Sequence, residues 1–327
     1  MLAMTVTKYG GPEVLKLQEM PTPIPGDNDL LIEVVRAGLN PVDFKIRSAP
    51  RWGERTFPFI LGYDVSGIAR SLGKNATGFK VGDEIFASPN LKRDGSNAEF
   101  VCVDYRSAAI KPKSIDHDHA AALPLAGLTA WESLHNHGQI KPGDWVLIHA
   151  GAGGVGHLAI QLAKAHGCKV ITTASREESI AACKAVGADE VVDYKTEDVI
   201  KRVVEITAGK LCAVVFDTVG GDTFNLSLRC IGYYGRVVTI VPGIPTDHIN
   251  SLFAKSASVH LEYMGLPTMF DVEPQRQGAA LAEIAKLVDA GKLKPIVSHR
   301  LKLADLGEAH QLQESNRTIG KIVIEVK

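Results

Sequence analysis

The sequence predicts an α/β protein in which a doubly wound parallel sheet is inserted into a β-rich unit. Up to residue 120, short β-branched runs are separated by Gly- and Pro-containing turns. From residue 121 to 264, strand-like apolar runs alternate with helix-like segments, which is typical of a parallel sheet with helical crossovers. After residue 264 the alternation stops. We therefore expect residues 265–327 to pack back on the first unit.

The β-rich unit is predicted from three short runs, at residues 30–35, 65–69 and 84–87. Turn signals such as Pro25-Gly26 and Gly82-Asp83 separate them. Helical periodicity is weak in this part of the chain. We expect a unit such as a partly open barrel.

The second segment predicts six strands, at residues 145–149, 170–173, 191–192, 213–216, 237–241 and 259–263. Helix-like spacing at residues 155–166, 177–186 and 199–207 lies between the first four strands. In the tail, we predict helices at 278–290 and near 303–313, and a last strand at 321–326.

Composition and charge exclude several classes of function. The formal net charge is −1, which provides no basic surface for nucleic acid or an anionic membrane. No apolar run is long enough to span a bilayer, and no secretory signal is recognised. The five cysteines show no CxxC pair and predict reduced thiols. We expect a cytoplasmic protein.

The strongest local motif is the segment HAGAGGVG at residues 149–156. Gly151, Gly153 and Gly156 satisfy GxGxxG, between a predicted strand and a predicted helix. Such glycines let the backbone approach a pyrophosphate, and the helix N-terminus directs N–H groups at it. With Gly154 and Val155, they predict a dinucleotide site. The alternative is a tight turn without a ligand.

The end of the next strand favours NADPH over NADH. An NAD site usually carries an acidic residue about 20 residues after the glycines, but Ser175 and Arg176 stand here and no carboxylate precedes Glu177. A hydroxyl and a guanidinium suit a 2′-phosphate. The alternative is an exposed polar cluster at a helix start. Tyr194 either flanks this pocket or is an ordinary aromatic at a strand end.

Several motifs together resemble the medium-chain dehydrogenase/reductase superfamily, over essentially the whole chain. They are GGPEVL at 10–15, AGLNPVD at 37–43, KVGDEI at 80–85, AGLTA at 126–130, AGAGGVG at 150–156, FDTVG at 216–220 and GKIV at 320–323. Within it the chain looks like the quinone oxidoreductase branch, and NPVDFKIRS at 40–48 looks like its alkenal/enone reductases. The resemblance implies a GroES-like catalytic domain (1–120 and 265–327) interrupted by a Rossmann domain (121–264).

The resemblance also implies that the protein binds no zinc. Zinc-containing members use a Cys, a His beside a Glu, and a second Cys. The matching positions here are Asn40, Tyr63 beside Asp64, and Leu125, which cannot supply thiolate and imidazole ligands. Cys102 alone precedes residue 160, so the structural zinc lobe is missing too. Asp64 either tunes the site or is a hydrogen-bonded structural carboxylate.

Without a metal to stabilise an alkoxide, a conjugated carbonyl or a quinone is the easier hydride acceptor. We predict Asn40, Asp43 and Lys45 in the active site. Lys45, by resemblance, contacts the nicotinamide ribose or the substrate oxygen, or else is a surface lysine. Asp43 orients Lys45 or caps the following helix, and Tyr63 protonates the enolate or serves packing.

The resemblance places Thr129 beside the nicotinamide, together with backbone around 241–243 and 265–267, including Val241 and Gly243. Residues 49–59 and the segment after Tyr263 suggest an apolar pocket for a small hydrophobic carbonyl or quinone. A homodimer paired along residues 258–263 is expected. Two alternatives stay open: an alcohol or ketone dehydrogenase with an atypical site, and a non-catalytic NADPH-binding sensor or crystallin-like protein.

Overall fold

The computed structural model describes residues 1–245 and 248–327. The strands in this part of the chain are β1 (Leu2–Val6), β2 (Leu15–Glu19), β3 (Asp29–Gly38), β4 (Phe59–Ile60), β5 (Val65–Leu72), β6 (Glu84–Ala87), β7 (Phe100–Asp104), β8 (Ala108–Ile110), β9 (Trp145–Ile148), β10 (Lys169–Ala174), β11 (Glu190–Asp193), β12 (Cys212–Asp217), β13 (Ile231–Thr239), β14 (Ser258–Leu261), β15 (Val297–Lys302) and β16 (Lys321–Glu325).

The α-helices are α1 (Pro41–Ser48), α2 (His117–Ala121), α3 (Pro124–Trp131), α4 (Gly156–Ala165), α5 (Glu177–Ala185), α6 (Val199–Ile206), α7 (Asp222–Cys230), α8 (Leu266–Phe270), α9 (Gln275–Asp289) and α10 (Leu306–Glu314). Short 3-10 helices lie at Pro12–Val14, Tyr105–Ser107, Ile249–Lys255 and Leu303–Asp305. A π-helical turn at Glu132–His137 follows α3 directly.

The chain divides into two compact units. The first contains Met1–Leu128, Gly265–Gly291 and Pro295–Lys327, and the second contains Thr129–Met264 and Lys292–Lys294. The boundary between Leu128 and Thr129 falls within α3.

The second unit is built on a six-stranded sheet in the order β11-β10-β9-β12-β13-β14, and every neighbouring pair is parallel. The doubly wound parallel sheet predicted from the sequence is confirmed. Strands β10 and β11 lie on one side of β9, and β12, β13 and β14 lie on the other. The loop that follows β9 is therefore at the point where the strand order reverses. Open sheets of this kind bind ligands at such a point.

The first unit is β-rich. A mainly antiparallel sheet has the order β15-β16-β3-β5-β6-β8, with β7 also paired to β3, and a small sheet has the order β2-β1-β4. The last strand, β16, pairs antiparallel with β3 through Val323 and Gly38. This pairing joins the end of the chain to the residues that lead into α1.

Alternation of apolar residues explains the central strand of the first unit. Leu30, Ile32 and Val34 of β3 are fully buried in its core. In the second unit Leu147, Ile171 and Val215 meet in the other main core. The strands β9, β10 and β12 of the second unit are buried over nearly their whole length, which is why their sequences are mostly apolar.

The sequence missed some elements and misjudged some bounds. Strand β13 begins at Ile231, well before the predicted 237, because the run contains Gly232, Gly235 and two exposed tyrosines that obscure the strand pattern. Strand β15 has a mainly exposed, polar sequence, VSHRLK, and helix α7 was not predicted either. Strand β6, in contrast, has the predicted bounds.

Candidate active site

A tight turn joins β9 to α4 and contains the glycine-rich motif. Ala150 has a positive φ of 53°. Its N–H donates to Thr173 Oγ1 at 3.1 Å, and the N–H of Gly151 donates to the carbonyl of Thr173 at 3.1 Å. The turn is therefore fastened to the end of β10. Helix α4 starts at Gly156, and N–H groups of a first helical turn have no intrahelical acceptor.

Close packing explains two of the three motif glycines. A Cβ on Gly151 would lie 2.0 Å from Thr172 Oγ1, and one on Gly156 would lie 2.3 Å from the carbonyl oxygen of Ala150. Neither position has room for a side chain. A Cβ on Gly153 would meet only the Ala150 oxygen, at 3.2 Å. Packing within the turn thus explains Gly153 less well than the other two.

Ser175, Arg176 and Tyr194 follow the carboxyl ends of the neighbouring strands β10 and β11. Arg176 is the residue before α5, and its Nη1 lies 3.1 Å from Glu178 Oε1. The backbone N–H of Tyr194 donates to the carbonyl of Ala174 at 3.3 Å, and the side chain is 54% exposed. The structure thus brings these three residues to one edge of the sheet, beside the glycine-rich turn.

The end of β13 is held by a buried carboxylate. Asp217 accepts the N–H groups of Val219 and Gly220 at 2.9 Å each, and Thr239 Oγ1 donates to it at 3.1 Å. The N–H of Val241 lies 3.3 Å from Thr239 Oγ1. Gly243 follows with a φ of +77°, a conformation that favours glycine. Thr129 lies buried in α3.

Sequence reasoning missed His149, which stands directly before the glycine-rich turn. It is buried, and its Nδ1 lies 3.4 Å from Thr173 Oγ1. Its Nε2 is buried and has no hydrogen-bond partner within residues 1–245 and 248–327. Burial lowers the pKa of His149 to about 4, so the ring is neutral near pH 7. A polar residue ending an apolar strand was the available signal.

In the first unit, Asn40 is the centre of a buried hydrogen-bond network. Its Nδ2 donates to Asp64 Oδ2 at 2.7 Å, and its Oδ1 accepts from Lys321 Nζ. Lys321 also donates to Asp64 Oδ2 at 2.8 Å, and the N–H of Leu125 donates to Asp64 Oδ1 at 2.5 Å. Both polar atoms of the Asn40 side chain are thus engaged inside the protein.

Asp43 has the geometry of a helix cap. Its Oδ2 accepts the N–H of Asn40 at 2.7 Å, and its Oδ1 accepts the N–H of Gly62 at 3.0 Å. The first bond belongs to a capping box at the start of α1. Burial raises the pKa of Asp43 to about 7, although these N–H groups favour the ionised form. Burial also raises the pKa of Asp64, against the effect of Lys321.

Lys45 and Tyr63 differ sharply in their surroundings. Lys45 lies on the exposed side of α1, and partial burial, followed by the charge of Arg51, lowers its pKa. Tyr63 is fully buried beside Phe59, Leu91 and Met269. Its hydroxyl has no hydrogen-bond partner among the described residues, and burial raises its pKa above the ordinary value.

The predicted apolar pocket is only partly open. Phe59 and Met269 belong to the buried core of the first unit, whereas Trp52 and Phe270 are exposed. The Lys92 ammonium lies 4.1 Å from the centre of the Phe270 ring. Trp52 and Phe270 are thus among the apolar side chains of these segments that solvent can reach.

The described residues form neither a metal-binding cluster nor a membrane-spanning helix. In the part of the chain that the structure describes, no group of three or more His, Cys, Asp and Glu side chains is arranged to hold a metal ion. No described helix has both the length and the apolar character needed to cross a membrane.

Comparison with known proteins identifies the family. Residues 26–113 match the alcohol dehydrogenase GroES-like domain, and residues 186–324 match the zinc-binding dehydrogenase family. A quinone oxidoreductase of Pseudomonas aeruginosa is 33% identical over 321 residues, covering 97% of each chain. The chain belongs to the medium-chain dehydrogenase/reductase superfamily. Within this superfamily of oxidoreductases it is quinone oxidoreductase-like, as its sequence motifs predict.

Solved structures of this superfamily share the fold over the full chain. The Escherichia coli quinone oxidoreductase complexed with NADPH is 31% identical, with a TM-score of 0.88 and coverage of 100% of both chains. A structure described as an NAD-dependent alcohol dehydrogenase is 32% identical, with a TM-score of 0.90 and the same coverage. The Rossmann and GroES-like assignment is confirmed.

The residues present do not fit the zinc implied by the name of one matched family. Zinc in proteins is held by thiolate, imidazole and carboxylate ligands. Asn40, Tyr63 and Leu125 stand at three of the matching positions, and the Asp64 carboxylate already accepts from the Lys321 ammonium. A second cation beside that ammonium would be repelled. Lys321 was not singled out from the sequence, because its position in the chain gives no sign of its partners.

Proposed function

We propose that this protein is a zinc-independent, NADPH-dependent reductase that delivers hydride to quinones or to the C=C bond of α,β-unsaturated carbonyls. The observation that carries the proposal is the pairing of the glycine-rich turn with Ser175 and Arg176 at the end of the next strand. The NADPH-complexed Escherichia coli relative supports the same cofactor.

The part of the proposal that concerns the cofactor depends on how well the residues around the glycine-rich turn match the groups of NADPH. The N-terminus of α4 offers backbone N–H groups to a pyrophosphate, and Gly153 leaves the backbone accessible. Arg176 is partly exposed and its guanidinium can grip a 2′-phosphate in place of its contact with Glu178. NADPH supplies a hydride when bound. Because no carboxylate ends β10, nothing at this point selects for a free 2′-hydroxyl.

The part of the proposal that concerns the substrate depends on the side chains at the zinc-equivalent positions, which do not fit a zinc ion. A saturated ketone would develop full alkoxide charge on one oxygen, which a metal normally stabilises. In a conjugated carbonyl the charge spreads into an enolate, and a hydrogen-bond donor suffices. Lys45 is an exposed donor on α1, the helix that Asn40 precedes. Water then protonates the α-carbon and the saturated carbonyl is released.

Purified, EDTA-treated protein tests the proposal when NADPH and NADH consumption are followed with a quinone, a 2-alkenal, an enone and a saturated ketone. Loss of the C=C bond, verified by mass spectrometry and NMR, with an untouched ketone is the expected result. Turnover of the ketone would instead support the atypical alcohol dehydrogenase. Tight NADPH binding without turnover would support a sensor or crystallin-like role, and preference for NADH would overturn the cofactor assignment.

Substitution of Lys45 tests the donor. We expect Lys45→Met to lower kcat at least tenfold with an unchanged Kd for NADPH, and Lys45→Arg to retain part of the activity. Lys74→Met is the matched control, because Lys74 is an exposed lysine whose ion-pair partner is Asp27. Equal activity of the Lys45→Met and Lys74→Met variants would show that Lys45 is a surface lysine without a role in the reaction.

We also propose a homodimer paired along β14. This strand is the edge of the parallel sheet, and Tyr233, Phe253 and Leu261 nearby are large exposed apolar side chains. Light scattering of the wild type and of Leu261→Lys tests the pairing. A monomeric wild type would remove it.

A further inference from the structure

Lys321 is the first residue of β16, and its charged side chain is buried inside the protein. The exposed fraction of the side chain is 3%. Its Nζ donates to Asn40 Oδ1 and to Asp64 Oδ2, the latter at 2.8 Å. A buried ammonium needs such partners, because an isolated charge would not remain in an apolar interior.

We propose that Lys321 is a positioning residue: its ammonium is the internal cation that holds the Asn40 side chain, the first turn of α1 and, with that turn, Lys45. The inference deepens the proposed function and rests on it where activity is the readout. We assign Lys321 no contact with substrate, since its side chain is buried and donates to Asn40 and Asp64.

The chain of contacts is short. Lys321 and Asp64 together bind both polar atoms of the Asn40 carboxamide. Asn40 is the residue before α1, and its N–H is bonded to Asp43 Oδ2 at 2.7 Å. Lys45 lies two residues after Asp43 on the same helix. Release of the Asn40 side chain would therefore loosen the helix start that orients Lys45.

The same network reaches the neighbouring elements. Asp64 also accepts the N–H of Leu125, which lies in the first turn of α3. The N–H of Gly38 donates to the Asp64 carbonyl at 3.2 Å, and a Cβ on Gly38 would lie 2.8 Å from the Asp64 Cβ. Asp64 and its partner Lys321 thus lie at a point where residues of β3, the start of α1 and α3 meet.

An ammonium at this point differs from a metal in what it can do. Lys offers three N–H donors and no vacant coordination position, so it orders Asn40 and Asp64 without binding a substrate oxygen as a Lewis acid. Lys321 thus supplies positive charge at the zinc-equivalent residues while leaving the reaction to groups outside the network.

The test compares Lys321→Met with Lys111→Met. Lys111 is a matched control, because it is also a buried lysine of the first unit, bonded to the carbonyls of Pro112 and Ile115. We measure kcat with the best acceptor, Kd for NADPH, and hydrogen exchange by mass spectrometry. For Lys321→Met we expect a kcat at least tenfold lower, a Kd within twofold of wild type, and faster exchange in residues 38–48 but not in 145–165.

For Lys111→Met we expect kcat within twofold and unchanged exchange in residues 38–48. Lys321→Arg keeps a cation and should recover part of kcat. Unchanged kcat and unchanged exchange in Lys321→Met would overturn the inference. If wild-type protein turns over no acceptor, the proposed function fails, and the exchange in residues 38–48 alone then decides the role of Lys321.

Lys321→Met leaves Asp64 buried without its cation and can unfold the protein for that reason alone. The double variant Lys321→Met/Asp64→Asn removes both charges and is expected to fold. If it has wild-type kcat and wild-type exchange in residues 38–48, Lys321 does not position the site. If kcat stays low and that exchange stays fast while the Kd for NADPH is retained, the inference stands.

Discussion

The Nζ of Lys321 and the Oδ2 of Asp64 lie 2.8 Å apart although 257 positions separate the two residues in the chain. The lysine begins the last strand and the aspartate precedes β5. Their pairing balances one of two neighbouring buried carboxylates. The other, Asp43, accepts the backbone N–H groups of Asn40 and Gly62, and burial raises its pKa.

Asp43 should make stability depend on pH. Its pKa is about 7 in the folded protein, against an ordinary value of 3.8. Between these values the folded state holds a proton that the unfolded state has lost, so the free energy of unfolding falls as the pH rises from about 4 to 7 and levels off above 7. At about 1.4 kcal/mol for each pKa unit, the contribution reaches about 4 kcal/mol at most.

Urea unfolding of wild type and Asp43→Asn at pH 5, 6, 7 and 8 measures this contribution. The amide resembles the protonated acid, so stability of the variant relative to wild type should increase up to pH 7. Asp305→Asn, at a solvent-exposed position before α10, is the control and should show no such trend. A constant difference between Asp43→Asn and wild type would contradict the assignment.

The motif glycines should respond differently to alanine. Gly151→Ala would force a Cβ against Thr172 Oγ1, and overpacking of this kind costs about 1–3 kcal/mol. Gly153→Ala meets one backbone oxygen at 3.2 Å and should change stability little. Both should weaken NADPH binding at least tenfold, measured by fluorescence titration beside thermal unfolding. Unaltered NADPH binding in Gly153→Ala would argue for a turn without a ligand.

Arg176 should decide between the two nicotinamide cofactors. Loss of a charge-assisted hydrogen bond to a phosphate costs about 1.5–3 kcal/mol, so Arg176→Ala should weaken NADPH binding by roughly 10- to 100-fold. NADH binding should not change, because NADH lacks the 2′-phosphate. Arg202→Ala, which removes another ion-paired arginine of the same unit, is the control. An equal loss for both cofactors would contradict the role.

Tyr63 should serve packing rather than proton transfer. Its hydroxyl is buried without a hydrogen-bond partner in the described part of the chain, and such a group is costly. Tyr63→Phe should therefore leave kcat within twofold and hold or raise stability by about 1 kcal/mol. Steady-state kinetics and urea unfolding provide both readouts. A tenfold fall in kcat with unchanged stability would support the proton-donor role.

The local parts of the fold were predictable because they depend on neighbours in the chain. Strand β6 and helix α5 follow from short apolar runs and turn residues, and the glycine-rich turn was visible because packing and spacing fix glycine at Gly151 and Gly156. Strand β15 was not predictable, since its mainly exposed residues carry no apolar pattern and its pairing with β16 sustains it.

The candidate site could be predicted only in part, because its surroundings depend on packing between distant segments of the chain. Asn40, Asp43 and Lys45 stand in one short segment, whereas their environment comes from residues far along the chain. Tyr63 is buried, and His149 Nε2 has no hydrogen-bond partner among the residues that the structure describes. Both facts depend on packing that no motif expresses.

The sequence by itself determined the doubly wound sheet, the glycine-rich turn and the absence of Cys and His at the zinc-equivalent positions, because these follow from residue type and local spacing. Only the tertiary structure decided that Lys321 fills the network of Asn40 and Asp64. Burial favours that pairing, because a cation stabilises a carboxylate that is removed from water, and the fold brings Lys321 from a distant part of the sequence.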